Sequence, residues 1–263
     1  MNLSMAIKKY LIYCSMSVKS ILSYKKLLFF NMLFVITGFI IKASVLKVFF
    51  QNGKDIRIWE DTFMYIIFSS ILAETSCFFR LPIFVQTIKN GSIIKYGIYP
   101  GLYCIKFFFE ELGVSILSLI ITALPLACIG IVYLMFYKIY YNFLSFLGFL
   151  ILSVPGIVIS ILFTTFIFSF AQLLQKTSGI KALLNGFSAL LSGSFVPLIF
   201  FDNISIIKKL PLALSVNAPI EVFLNYDSFC SVISLQLFWI AVLFLLNIFI
   251  TENLVRKMLH VGG

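Results

Sequence analysis

The sequence predicts an all-α polytopic membrane protein, with six transmembrane helices forming a single domain over residues 1–263. Three observations predict it. Hydrophobic residues make up 61% of the 263-residue chain and charged residues only 11%, against about 25% charged in a soluble domain. Mean hydropathy is +1.08, and the apolar residues gather in runs with few charges, long enough for helices that cross a bilayer. Lys and Arg collect in alternate connections between those runs, the pattern that membrane topology imposes.

Before the first run, Leu3, Ile7, Tyr10, Cys14, Val18 and Ile21 recur every three or four positions, while Lys8, Lys9 and Lys19 fall mostly elsewhere around the helix. This predicts an amphipathic helix over residues 3–22 lying in the inner interface, with its lysines among anionic lipid headgroups. A short soluble helix is the alternative. Five lysines precede the first long apolar run and no small-x-small cleavage site follows it, so the N-terminal segment is expected to be retained.

The six spans are predicted at about 27–48, 62–80, 107–136, 143–170, 182–201 and 232–251. In the first, Lys42 and Lys47 can snorkel outward. The third is longer than a bilayer demands, and Glu110 and Glu111 suggest that its first turn lies in the interface. A short hairpin over residues 137–142 joins it to the fourth. Between the fifth and sixth runs lies "LPLALSVNAPIEVFL", residues 210–224, apolar but interrupted by two prolines. It is too short to span and begins and ends on the outer side, which predicts an outer re-entrant or interfacial element covered by protein or water.

Charge sets the sidedness. Thirteen Lys and Arg fall on the side of the N-terminus, the second-to-third connection, the fourth-to-fifth connection and the C-terminal tail. Five fall on the other side, together with six carboxylates. The richer side should be cytoplasmic, giving a multi-pass protein of the cell membrane with both termini inside.

Other chemistry is poorly supported. The net charge of +10 does not form a basic stripe on a folded polar domain, so nucleic acid is not an expected partner. The chain has no G-x-x-x-x-G-K-[ST] loop for nucleotide phosphates, no G-x-S-x-G elbow and no H-E-x-x-H. Its one histidine, His260, lies in the tail, and its five cysteines contain no C-x-x-C pair. No catalytic residue, metal ligand or cofactor of its own is expected.

Two places invite a role. Glu74 lies within the second span, where a charge costs a few kcal/mol. It lines a translocation route or pairs with a base such as Arg80; otherwise it caps or snorkels to the inner interface. In the fifth span, Ser188 and Ser192, and Ala189 and Gly193, stand four residues apart and form a small face that permits close helix approach. Pro197 removes a backbone hydrogen bond and leaves a carbonyl near Gly193 without its usual donor. Tight packing and a gate or cavity wall both fit these residues.

Three segments resemble permease subunits of ATP-binding-cassette (ABC) exporters of the type-2 class. "LLSGSFVPLIFF", residues 190–201, is similar to that family's fifth-span signature. "IKNGSIIKYGIYP", residues 88–100, resembles its cytoplasmic Gly-Ser/Thr, hydrophobe, Pro segment, and the chain ends in Gly262-Gly263, common there. Prolines in the outer loop match as well. The chain departs from the family where Asp202-Asn203 follow the aromatic pair, often followed by Pro in members, and where Glu110-Glu111 replace a basic–acidic pair.

The resemblance implies two six-span subunits, identical or related, embedded in membrane lipid, each resting on a separate ATPase that binds ATP and Mg²⁺. It implies an ATPase-coupling loop including Gln86, Lys89, Asn90, Gly91 and Ser92. It also implies a substrate pathway near Ser69, Ser70, Glu74, Ser194, Phe195 and Pro197. The substrate would be a drug, a peptide or a lipid-like molecule. An ion-coupled carrier using Glu74, or a non-transporting immunity or scaffold protein, are the alternatives.

Overall fold

The computed structural model describes residues 3–50, 56–76, 82–90, 102–137, 141–173, 177–200 and 205–261. Of these, 90% are helical and none is in a strand. The helices, in chain order, are α1 (Leu3–Leu22), α2 (Lys25–Phe50), α3 (Ile56–Thr75), α4 (Ile83–Lys89), α5 (Tyr103–Tyr137), α6 (Phe143–Leu173), α7 (Thr177–Leu191), α8 (Ser205–Lys208), α9 (Pro211–Phe223) and α10 (Phe229–Val261).

Four stretches are long and apolar enough to cross a membrane: Leu28–Val48 in α2, Tyr103–Tyr137, Phe143–Ala171 in α6 and Phe229–Val255 in α10. They correspond to the first, third, fourth and sixth predicted runs. Their outward faces carry Phe34, Phe136, Ile151 and Phe249, all exposed. Lipid, not water, is the solvent that tolerates such a surface. This is the helix set of a membrane protein.

The second and fifth runs behave differently. α3 begins six residues before the predicted start at 62, taking Arg57, Glu60 and Asp61 into its first two turns, and it ends at Thr75; residues 77–80 of that predicted span lie outside the described residues. The fifth run is not one helix, which corrects the span predicted over 182–201. α7 stops at Leu191, a turn follows, and Leu198–Phe200 forms a single 3-10 turn. Gly193 takes φ of +75°, a left-handed conformation that ends helices, and Pro197 cannot donate the hydrogen bond needed to resume one.

α5, which holds the third predicted span, also starts earlier than predicted. With Tyr103 as its first residue, Glu110 and Glu111 fall in its second and third turns, not in the first turn at the interface. α1 forms over 3–22 as predicted and lies against α5: the rings of Tyr10 and Phe109 stack at 5.3 Å, and Lys106 Nζ sits 4.9 Å above the Tyr13 ring.

The stretch 210–224 forms α9, a helix whose thirteen residues are all buried. Pro211 occupies its first turn, where no backbone donor is missed. At its end, Asn225 adopts φ of +62°, Asn225 N–H donates to Val222 C=O, and Tyr226 N–H donates to Glu221 C=O. That is a Schellman closure, with Asn in place of the usual Gly. Inside the helix, Pro219 deprives the Ser215 carbonyl of its donor. The freed oxygen points at Gly156 of α6, where a Cβ would stand only 2.7 Å away. Only a glycine lets the two backbones meet there.

Buried amides fix α10 to this pair. Gln236 Nε2 donates to Leu152 C=O of α6 and Leu214 C=O of α9, at 3.1 and 2.9 Å. Asn247 Nδ2 donates to Leu162 C=O at 2.8 Å, and Ser169 and Thr251 bond at 3.3 Å. Leu152, Ile159, Leu162, Leu214 and Leu243 fill the space between.

Candidate functional site

Three constellations stand out once the helices are packed. The first is the break after α7. Tyr65 of α3, itself 1% exposed, reaches the turn with its hydroxyl 2.9 Å from the Gly193 carbonyl and 2.7 Å from the side-chain amide of Asn217 on α9. The carbonyl left near Gly193 by Pro197 thus has a donor from a different helix. A phenol has one proton and cannot serve two oxygens. If the Asn217 amide presents its nitrogen to the phenol, the phenol donates to Gly193 while accepting from Asn217, and the otherwise unpartnered Nδ2 is satisfied. A Cβ at position 193 would meet the Tyr65 hydroxyl at 2.3 Å.

This arrangement changes the role expected for the small residues. Ser188 is buried and Ala189 half-buried on α7, but Ser192 and Gly193 lie past the helix end, where they form a turn and not a continuous helix face. Ser194 is held at the same turn, its N–H bonded to Ser192 Oγ and its Oγ to Ala189 C=O. Pro197 is buried and Phe195 exposed.

The second constellation holds the first residues of α4 and of α5. Glu111, 2% exposed, accepts a hydrogen bond from the N–H of Ile83, the first residue of α4. Glu252 of α10 accepts from the first two backbone N–H groups of α5, Tyr103 at 2.6 Å and Cys104 at 3.4 Å. Carboxylates suit helix N-termini because the first four N–H groups lack intrahelical partners and the dipole is positive there. Of the expected coupling residues, Gln86 is exposed on α4, Lys89 ends that helix and Asn90 is exposed in the following turn. Gly91 and Ser92 lie outside the described residues, as does Arg80.

The third is a cleft of about 310 Å³ between α1, α2, α3 and α5, into which Glu74 opens together with Asn31, Ser76, Ser118 and Thr122. Nine residues separate Glu74 from Tyr65, a rotation of about 180° around α3. Glu74 and the Gly193 turn therefore occupy opposite sides of that helix. Ser69, four residues beyond Tyr65, and Ser70 are both buried. The residues expected to line one pathway divide between two surfaces.

At the opposite end of the bundle, Asp61 accepts hydrogen bonds from Tyr141, between α5 and α6, at 3.1 Å and from Tyr226, between α9 and α10, at 3.3 Å. Burial first, and the charge of Asp61 second, push both phenols above their usual range. Residues assigned by charge to one side of the membrane are thus gathered at one end of the bundle. Glu111 and Glu252 gather at the other.

Sequence reasoning did not find Tyr65, Asn217 or Glu252, and it read Glu111 as an interfacial charge. The available signal was the rarity of carboxylates near apolar runs, each of which demands a partner. Among the described residues, no three His, Cys, Asp or Glu converge as a metal site would need. No family model, curated protein or solved structure matches the chain.

Proposed function

We propose that this chain is the membrane-spanning permease subunit of a type-2 ABC exporter, moving a drug, peptide or lipid-like molecule outward while a separate ATPase hydrolyses ATP. The observation that carries this reading is the capping of α4 by Glu111 and of α5 by Glu252. Both helices flank the connection that resembles the family's coupling segment. A motor outside the membrane needs a surface joined to transmembrane helices, and a segment whose flanking residues Ile83 and Tyr103 are held by carboxylates of α5 and α10 supplies such a joint. Load applied there reaches α5 directly and α10 through Glu252.

In this reading α3 and the interrupted α7 segment complete six spans, and α9 is the outer re-entrant element. The Lys-rich end faces the cytoplasm. Two copies, or this chain and a related permease, form the conduit in the cell membrane, and ATP binding to the partner shifts the pair between inward- and outward-open states. The break at Gly193 is a natural flexing point because its backbone is held by a side chain and not by a helical ladder. The polar cleft at Glu74 favours a second reading, an ion-coupled carrier.

Purification in mild detergent tests the proposal. An ATPase carrying a G-x-x-x-x-G-K-[ST] loop is expected to copurify, and to be lost when Glu111→Ala and Glu252→Ala are combined in protein that remains monodisperse. Transport should persist when the proton gradient collapses at constant ATP. If no such ATPase is bound and transport follows the gradient, the carrier reading replaces this one.

A further inference from the structure

Between α3, α5 and α6 lies an apolar slot of about 350 Å³. Met64 and Ile71 line it on α3, Ala127 and Leu134 on α5. Each pair is seven residues apart, so the slot runs about 10 Å along the helix axes. The small residues Ala127 and Gly130 leave the space on the α5 side, while Phe68 and Phe223 close its back with ring centroids 4.8 Å apart. Ile131, Phe143 and Phe146 stand on its rim and are exposed, so the slot opens onto the apolar outer surface of α5 and α6. Among the described residues that line it, only Tyr141 and Asn142 carry a hydroxyl or an amide, and both stand at one end. Tyr141 donates to Asp61 and Asn142 Oδ1 accepts from Leu144 N–H, each at 3.1 Å.

We propose that this slot holds one acyl chain of a membrane phospholipid, lying parallel to α3 and α5 with its ester end at Tyr141 and Asn142. Water is a poor filler, because a buried water needs about two to four polar partners and the length of the slot supplies none. Left empty, the walls would forfeit their dispersion contacts. A chain entering from the bilayer restores those contacts without leaving hydrocarbon, because the mouth is continuous with the lipid-facing surface of α5 and α6. Volume over length gives a cross-section of about 35 Å². That is under half the roughly 80 Å² of an α-helix about 10 Å across, so a helix of a second copy does not fit and a single hydrocarbon chain does. Direction agrees as well. A slot aligned with α5 lies along the path of the acyl chains, and its polar end meets Tyr141 and Tyr226, residues suited to the headgroup level. The sidedness proposed above puts that end in the outer leaflet; the binding depends neither on that sidedness nor on export.

The test uses the full chain in phosphatidylcholine nanodiscs, without ATPase or nucleotide, so its failure is independent of the exporter reading. The probe is a phosphatidylcholine with a diazirine at mid-chain; after photolysis, adducts are located by peptide mass spectrometry. Ile67 and Ile71 are buried, whereas Phe34 and Phe249 face outward, so lipid reaches the two isoleucines only through the slot. At least as many adducts are expected on Ile67 and Ile71 as on Phe34 and Phe249. Ala127→Trp, at an exposed position on the slot wall, should fill the space and cut the isoleucine adducts at least fivefold while leaving those on Phe34 and Phe249 unchanged. Gly130→Leu should act in the same way, and the comparison within the unaltered chain decides the matter if neither variant folds. Adducts confined to Phe34 and Phe249, or isoleucine adducts that survive Ala127→Trp, overturn the proposal. A disulfide between copies through Phe146→Cys, with the isoleucines unlabelled, would assign the slot to a second copy and overturn it too.

Discussion

The half of the molecule built from α6, α9 and α10 and the half built from α2, α3 and α5 solve the same packing problem with different means. In the first, backbones approach to contact at Gly156 and Ser215, and Gln236 and Asn247 each bond a main-chain carbonyl of a neighbouring helix. In the second, α5 meets α1 backbone to backbone at Gly113 and Cys14 and stacks Tyr133 on Phe63 of α3. Yet the Glu74 cleft opens on one side, and an apolar pocket of about 350 Å³, lined by Ile67, Gly130 and Phe146 among others, opens between α3, α5 and α6 on the other. Close-packed interiors move as units, whereas helices separated by space can shift without breaking contacts. The comparison assigns tighter anchorage to the half tied by Gln236 and Asn247 than to the half that borders both spaces.

The sharpest way to break that assignment is to overfill the anchored half. Gly156→Leu would drive a branched side chain into the Ser215 carbonyl, and neither backbone can yield while Gln236 ties α6, α9 and α10. Loss of monodisperse protein is expected; even Gly156→Ala should cost about 1–3 kcal/mol in thermal unfolding. A mild effect would mean that α9 is not locked.

A matched pair of truncations tests the contrast directly. Leu152 is fully buried in the packed half, while Leu117 is 7% exposed on the cleft wall. Leu152→Ala should cost about 3–5 kcal/mol and Leu117→Ala about 2–3, because the cost grows with the cavity that neighbours cannot fill. Equal losses would erase the distinction.

Between the halves lies the Gly193 turn. Gly193→Ala must hold a left-handed conformation, costing roughly 1–2 kcal/mol, and must displace the Tyr65 hydroxyl. Tyr65→Phe, which removes only the hydrogen bonds, should cost about 1–3 kcal/mol because it leaves the Gly193 carbonyl buried without a donor. A stability unchanged by either variant would show that the turn is held by something other than this phenol.

The smallest effect is expected at the Asp61 end. Tyr141 and Tyr226 have phenol pKa values raised by burial and then by Asp61, so their contribution is complete below the ordinary tyrosine value of about 10 and is lost as pH rises beyond it. Near-ultraviolet phenolate absorbance should show two late-titrating tyrosines, and Asp61→Asn should bring them earlier. If titration is the same in the variant, the carboxylate does not govern them.

Much of this was legible in the sequence, for physical reasons that differ by element. Four apolar runs declared themselves through length and hydropathy, and the extent of the 210–224 element through the polar residues Lys209 and Asn225 on either side of it. The stranded carbonyl near Gly193 followed from Pro197 alone. The turn itself did not, because small residues four apart read the same whether a helix continues through them or stops. The caps were also hidden: Glu111 meets a donor 28 residues away and Glu252 one 149 residues away, and such partners become visible only when helices pack. Splitting Glu74 from the fifth-run residues likewise required knowing which face of α3 each neighbour occupies.

The claim on which the functional account stands is that the end of α4, at Lys89 and Asn90, faces the cytoplasm, where an ATPase can reach it. A single cysteine in place of the exposed Asn90, in a chain whose five native cysteines are replaced by serine, can be challenged with a membrane-impermeant maleimide. The account predicts no labelling in intact cells and full labelling after permeabilisation. Labelling of Asn90→Cys in intact cells would place that surface outside and contradict the account.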